Sequence, residues 1–228
     1  MALANPAVGS QGSRRVGGAT ASGRSAGAWR GKRAFDVVGA LVLLVVLVPA
    51  LVVVALVVAL TSRGPVLFRQ QRVGYGGRTF AMLKFRTMHA DAEQRLREDG
   101  GLDEWYVNGG YKIPAHLDPR VTRVGRWLRM SSLDELPQLF NVLAGHMSLV
   151  GPRPVVSREL DEYGDHVGSY LALRPGLTGL WQVEGRNDIA FPERAEIDSH
   201  YHANCGPWLD VAIVARTPLA VVSRRGVD

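Results

Sequence analysis

The chain has a single cysteine, Cys205, among its 228 residues. That excludes an intrachain disulfide and a zinc site built on clustered cysteines, and it suits a globular part facing a reducing cytoplasm. Acidic residues are missing from residues 1–33, which hold Arg14, Arg15, Arg24, Arg30, Lys32 and Arg33. Against totals of 27 Lys and Arg and 21 Asp and Glu, the remaining residues balance, so the net charge of +6 belongs to this tail. Aromatic residues make up only 7% of the chain, and Trp29 is the tail's only one. A basic segment without stacking rings is poorly equipped to hold single-stranded nucleic acid, so nucleic acid is not an expected partner. No Lys followed by Ser or Thr stands at P-loop spacing after the glycines, and there are no internal repeats.

Charge is also absent from Val37 to Leu60, a run of 24 residues. As a helix rising 1.5 Å per residue it measures about 36 Å, enough for a hydrocarbon core of about 30 Å. Membrane association is therefore expected, with membrane lipids as partners. Basic residues stand at both ends, Arg30, Lys32 and Arg33 before and Arg63, Arg69 and Arg72 after, so the positive-inside tendency sets no orientation. Pro49 sits mid-run, where it removes a backbone hydrogen bond. Two readings stand: a single crossing, or a helix broken at Pro49 that returns to the face it entered. Arg14-Arg15 precedes the run by about 20 residues, and the run is too long for a signal-peptide core. The Gly-, Ala- and Ser-rich tail cannot bury much surface and is expected to stay disordered, either simply solvated or drawn to anionic lipid.

Beyond the run, Val66–Val73 and Arg78–Phe85 flank Gly74-Tyr75-Gly76-Gly77 and read as a hairpin. Thr87–Glu98 reads as a solvated helix and residues 100–119 as loop. Arg120, Arg123, Arg126 and Arg129 recur every third residue among Val121, Val124, Trp127 and Leu128. Such a stripe fits a solvated helix face, an interfacial helix with Trp127 among headgroups, or a phosphate-binding set. Leu136–Leu143 reads as a short apolar helix, Arg174–Val183 as a turn and short strand, Ile189–His202 as a helix, and Leu209–Val222 as a packing or interfacial segment.

Asp134-Glu135 lies inside this apolar, Pro-marked stretch. Ser132-x-x-Glu135 has capping-box spacing, and acids are stabilised in a first helical turn. That accounts for the pair without any chemistry. The functional alternative uses the same surroundings: a carboxylate among arginines and a helix N-terminus stays ionised, and can then bind a divalent cation or attack phosphorus.

Six blocks occur in order: Lys32-Arg33-Ala34-Phe35-Asp36, Gly64-Pro65-Val66-Leu67-Phe68, Lys84-Phe85-Arg86-Thr87-Met88, Ser132-Leu133-Asp134-Glu135-Leu136-Pro137-Gln138, Ser148-Leu149-Val150-Gly151-Pro152-Arg153-Pro154 and Arg174-Pro175-Gly176-Leu177-Thr178-Gly179. From about residue 32 to the C-terminus the chain resembles the bacterial sugar transferases, the monotopic polyprenyl-phosphate phosphoglycosyl transferases. The resemblance implies transfer of a sugar phosphate from a UDP-sugar to undecaprenyl phosphate, with release of UMP. It implies Asp134 as nucleophile and Mg²⁺ ligand, and Glu135 as its companion acid. Lys84, Arg86 and Arg153 match basic motif positions and, with Arg129, are the candidate phosphate-binding residues. The implied fold is helix-rich α+β, a membrane-anchored monotopic domain. It has a Pro-broken re-entrant N-terminal helix, a short β-hairpin and interfacial amphipathic helices. The implied divisions are a basic tail (1–31), a re-entrant membrane helix (32–62) and a catalytic domain (63–228) on the cytoplasmic face of a bacterial cytoplasmic membrane. Self-association as a homodimer is left open. Two positions depart from the family pattern: His146, where an acid is common, and Val48 before Pro49, where serine is often found. A non-catalytic membrane scaffold in a glycan-assembly complex is the alternative, against which the intact acid pair argues.

Overall fold

The structure is a computed structural model. It describes residues 28–92, 94, 95, 113, 118–185 and 189–222. The basic tail, most of the expected 100–119 loop and part of the expected Thr87–Glu98 helix lie outside these residues.

The apolar run forms α1, Lys32–Thr61, and Pro49 does not end it: helix continues on both sides. The expected break is thus corrected to a helix that passes through its proline. The reason lies in the packing. Asp36, Ala40, Leu44, Val54 and Val58 are buried, and Leu47 and Leu51 are partly buried between them. These positions recur every three or four residues and form one stripe along the helix, which holds it on the domain across Pro49. Each buried valine on the stripe contributes roughly 1.5–3 kcal/mol. The opposite face, including Val38, Val45, Val46, Val53 and Leu60, is exposed and wholly apolar.

Both ends of α1 are fastened to the same body. At its start, Lys32 Nζ bridges two buried carboxylates, Asp36 at 3.1 Å and Asp210 at 2.9 Å. Asp36 also accepts from Ser148 Oγ and the Leu149 amide, while Asp210 accepts from Tyr201 Oη and Trp29 Nε1. Such buried charges persist only when paired and hydrogen-bonded, as these are. At its end, Arg86 donates to Ser62 O at 2.6 Å, to Ser62 Oγ and to Pro65 O.

The hairpin forms as expected. β1 (Leu67–Val73) pairs antiparallel with β2 (Thr79–Phe85), Leu67 opposite Phe85 and Val73 opposite Thr79. The arginine stripe lies on α2 (Arg123–Met130), capped by Thr122 Oγ1, which accepts from the Gly125 amide at 2.8 Å. A side chain at Gly125 would put its Cβ 1.9 Å from Thr87 O, so only glycine lets α2 lie against the chain leaving β2. α3 (Gln138–Leu143) is followed by β3 (Ser148–Val150), which pairs in parallel with β4 (Gly176–Thr178). The connection between them carries a 3₁₀ segment, Ser157–His166, and α4 (Val167–Leu171). A Cβ at Gly176 would stand 2.2 Å from the Gly151 amide, so the close strand approach also requires glycine. After β4 the chain turns at once into α5 (Leu180–Glu184). This corrects the expected strand through Val183, whose apolar side chains instead pack helically onto the core. α6 (Glu193–Asn204) and α7 (Pro207–Val222) complete the helix-rich α+β chain.

Candidate active site

The acid pair sits in a single 3₁₀ turn, Leu133–Glu135, between α2 and α3. Ser132 precedes it at φ 56°, ψ 15°, the left-handed region that non-glycine residues seldom occupy. That reversal folds the turn back on α2. The capping box is not formed, since Ser132 makes no side-chain cap. Glu135 is drawn off by cations instead: Lys84 Nζ at 2.8 Å and Arg153 Nη2 at 3.1 Å, both on Oε1.

Asp134 differs from its neighbour. It is 6% exposed, and its nearest cation is Lys84, 4.0 Å from Oδ2. Among the described residues nothing donates a hydrogen bond to it. Burial pushes its pKa up to about 6, with Glu135 adding to the rise while Lys84, Arg129 and Arg153 oppose it. The three cations thus work against burial, and it is they that favour the charged form. Burial also works to raise Glu135, but Arg153 and Lys84 outweigh it and hold that carboxyl well below its ordinary range. One acid is paired with two cations through a single oxygen. The other is buried and uncommitted.

The positioning elements are identifiable. Asn141 on α3 accepts from the Leu83 amide at 2.9 Å and donates to Ala81 O at 2.8 Å, continuing the edge of β2. This sets Lys84 against the turn that precedes α3. Arg153 follows β3, where the Gly151 amide donates to Thr178 O and the Gly176 amide to Pro152 O. Arg72 on β1 donates to Pro154 O and Glu159 Oε2, each at 3.2 Å, supporting the same loop. A cavity of about 10 Å³, the size of one water, lies among Arg72, Glu135, Gln138 and Arg153.

The stripe arginines have separate tasks. Arg120 makes a two-pronged pair with Asp118, Arg123 is exposed, and Arg129 donates from Nε to Thr87 Oγ1 at 3.0 Å, close to Asp134. Arg86 is not brought into this group. It is 8% exposed, and all three of its guanidinium nitrogens are engaged by Ser62 and Pro65. Its geometry is that of a clamp on the end of α1. Arg72, Gln138 and Asn141 were not expected at the site; Gln138 closes the block that carries the acid pair, whereas Arg72 and Asn141 stand outside the six blocks. His146 is exposed and its ring stacks on Phe80, centroids 5.8 Å apart. The arginines nearby take carbonyls: Arg33 those of Val142 and Leu143, and Arg174 that of Gly145.

No group of three or more His, Cys, Asp or Glu side chains that could hold a metal occurs among the described residues. A cage made by protein alone is therefore not on offer there. Asp134 does offer a hard, uncommitted oxygen. That suits Mg²⁺, which commonly binds through one or two carboxylates plus water and substrate phosphate.

The blocks that build this site extend over a known domain: residues 27–224 match the sequence model of the family described as bacterial sugar transferase. The chain belongs to that family. It is 44% identical over 200 residues to the UDP-galactose-lipid carrier transferase of Erwinia amylovora, covering 86% of this chain but 41% of that protein. It is 43% identical over 200 residues to the exopolysaccharide production protein ExoY of Sinorhizobium fredii, covering 86% and 87% of the two. It is 45% identical over 194 residues to the UDP-glucose:undecaprenyl-phosphate glucose-1-phosphate transferase of Caulobacter vibrioides, covering 82% and 67%. The chain thus spans about two fifths of the Erwinia protein and most of the Sinorhizobium one. As a bacterial sugar transferase it carries the acid pair, Lys84 and Arg153 in one constellation.

Proposed function

We propose that the chain transfers a sugar phosphate from a UDP-sugar to undecaprenyl phosphate, releasing UMP, as a starting step of exopolysaccharide or other surface-glycan assembly. The observation that carries this reading is Asp134: a buried carboxyl that accepts no hydrogen bond among the described residues, next to a glutamate already paired with Lys84 and Arg153. A nucleophile must be charged, held and not spent on internal bonds. The names of the relatives point to UDP-galactose or UDP-glucose as donor.

In this mechanism Asp134 Oδ forms a bond to the sugar-side phosphorus. The bond from that phosphorus to the bridging oxygen breaks, and the oxygen leaves with the electron pair as part of UMP. An oxygen of polyprenyl phosphate then bonds to the same phosphorus, the bond to Oδ breaks, and the free carboxylate returns. Glu135 holds Lys84 and Arg153 beside the reacting phosphates, where their charge offsets that of the equatorial oxygens. Mg²⁺ held by Asp134 and the donor diphosphate would supply further charge neutralisation. The two roles of the acids follow from their surroundings, one neutralised and one not.

The membrane reading is monotopic. A helix fastened to the same domain at Lys32 and at Ser62, and packed on it between, supports entry and exit on one face over a crossing. Its apolar outer face would lie in the lipid, with the catalytic domain (63–228) on the cytoplasmic face. UMP release measured across a panel of UDP-sugars, with Mg²⁺ and undecaprenyl phosphate, tests the function. Asp134→Asn is expected to abolish it. Full turnover by that variant would overturn the assignment, and no UMP from any donor would favour a scaffold role.

A further inference from the structure

Arg194 lies outside the group gathered around the acid pair, and its surroundings prepare it for an anion. It stands in the first turn of α6, where a helix favours negative charge, so the macrodipole works against it. Its guanidinium lies over the Trp181 ring of α5, 4.4 Å from the centroid, with the Phe191 ring at 5.8 Å. Its Nε donates to Ile189 O, and among the described residues its two terminal nitrogens have no hydrogen-bond partner. Trp181 is itself fixed, only 3% exposed. Stacking sets the plane of a guanidinium and leaves its in-plane N–H groups to a ligand, and two of them match a phosphate bidentately.

The neighbouring cation is Arg153. After burial, its charge is the largest influence lowering the Arg194 pKa, and the same charge opposes the rise at Asp134. Arg153 is thus within electrostatic reach of both. The backbone explains how: the Gly151 amide donates to Thr178 O, which joins the loop carrying Arg153 to the strand that runs directly into α5 and Trp181. Arg153 has Glu135 at 3.1 Å. Glu159 and Asp198 act on Arg194 from further off and neither pairs with it; Glu159 Oε2 is taken by Arg72 and the Val156 amide. Two guanidinium groups so placed repel each other, and an anion shared between them relieves the repulsion.

A nucleotide diphosphate sugar has two phosphorus atoms, and only one of them is attacked. On the reading that this is a phosphoglycosyl transferase, we propose that Arg194 is a donor-binding residue that holds the nucleotide-side phosphate, the one that departs in UMP, while Arg153 stands at the sugar-side phosphate. The contact outlasts the transfer, so UMP and the donor compete for it.

Binding of UMP and of uridine to the protein in nanodiscs separates a phosphate contact from a structural one. Losing one charged hydrogen-bonding partner is worth roughly 10- to 100-fold in affinity. Arg194→Gln is expected to weaken UMP by that factor and to leave uridine unaltered, with partial rescue by Arg194→Lys. Unchanged UMP binding, or equal losses for UMP and uridine, overturn the proposal. A second measurement uses the wild type alone and stands even where the variant fails to fold. UMP is expected to protect Arg194 from an arginine-selective dicarbonyl reagent, read by peptide mass spectrometry, and uridine is not. Labelling that ignores UMP, or equal protection by uridine, overturns the site. UMP release from UDP-sugars by wild type decides the functional reading separately. With turnover but no Arg194-dependent UMP binding, only this site falls; with no turnover from any donor the functional reading falls, and the protection of Arg194 still decides the site.

Discussion

The charge balance at Asp134 makes a prediction with opposite signs for its two neighbours. Lys84 Nζ lies 4.0 Å from Asp134 Oδ2. Unit charges at that separation interact by about 4 kcal/mol at an effective dielectric of about 20, equivalent to about three pKa units. Lys84 is shared with Glu135 and is partly solvated, which cuts the effect to about one or two units. Lys84→Met should therefore move the Asp134 pKa from about 6 to about 7–8. Glu135→Gln removes a repelling charge and frees Lys84 to turn to Asp134, so the pKa should fall by at least about one unit. The assay is the acid limb of kcat/KM for UMP formation against pH, in which each variant is compared by the position of its limb and not by its rate. The wild-type limb is expected near pH 6, displaced upward in Lys84→Met and downward in Glu135→Gln. Limbs that coincide, or that move the same way in both variants, would refute the electrostatic account of the pair.

Other consequences can be measured on stability. Burial raises the Asp198 pKa to about 7, with Tyr163 donating to its Oδ2 at 2.8 Å and Oδ1 without a hydrogen-bond partner among the described residues. A folded carboxyl that holds its proton more tightly than the unfolded one loses stability as pH rises from about 4 to about 7, by on the order of 4 kcal/mol. Asp198→Asn should flatten that part of a thermal-midpoint profile in detergent; an unaltered slope would contradict the assignment. Gly125→Ala should lower the thermal midpoint by the equivalent of about 2 kcal/mol or more, because α2 must move off Thr87. Arg86→Ala should destabilise by about 3 kcal/mol, since it strips the carbonyls of Ser62 and Pro65, while KM for the UDP-sugar stays within about twofold. A rise in that KM without loss of stability would return Arg86 to the phosphates.

What was legible in the sequence was local. The hairpin follows from the strands flanking Gly74-Tyr75-Gly76-Gly77, and α2 from its three-residue arginine rhythm among apolar residues. The acid pair stood out because two carboxylates in an apolar stretch need partners. What was not legible depends on contacts distant in sequence. The Ser132–Glu135 spacing fits a capping box, yet Lys84, 51 residues away, takes the glutamate and leaves the serine left-handed. Arg86 shares a motif with Lys84 but, two residues on, is claimed by the end of α1. Pro49 reads as a break until the stripe from Asp36 to Val58 is seen to be packed on both sides of it. Asp36 and Asp210, 174 positions apart, meet only through Lys32. β3 is three residues long and exists because β4 lies beside it.

The central claim is that Asp134 becomes covalently linked to the sugar phosphate. Intact-protein and peptide mass spectrometry after incubation with UDP-sugar and Mg²⁺, without acceptor, tests it directly. A mass gain of one sugar phosphate is expected on the peptide bearing Asp134, absent in Asp134→Asn and discharged by adding polyprenyl phosphate. UMP release that requires acceptor from the start and leaves no adduct, or an adduct on any other residue, would contradict it.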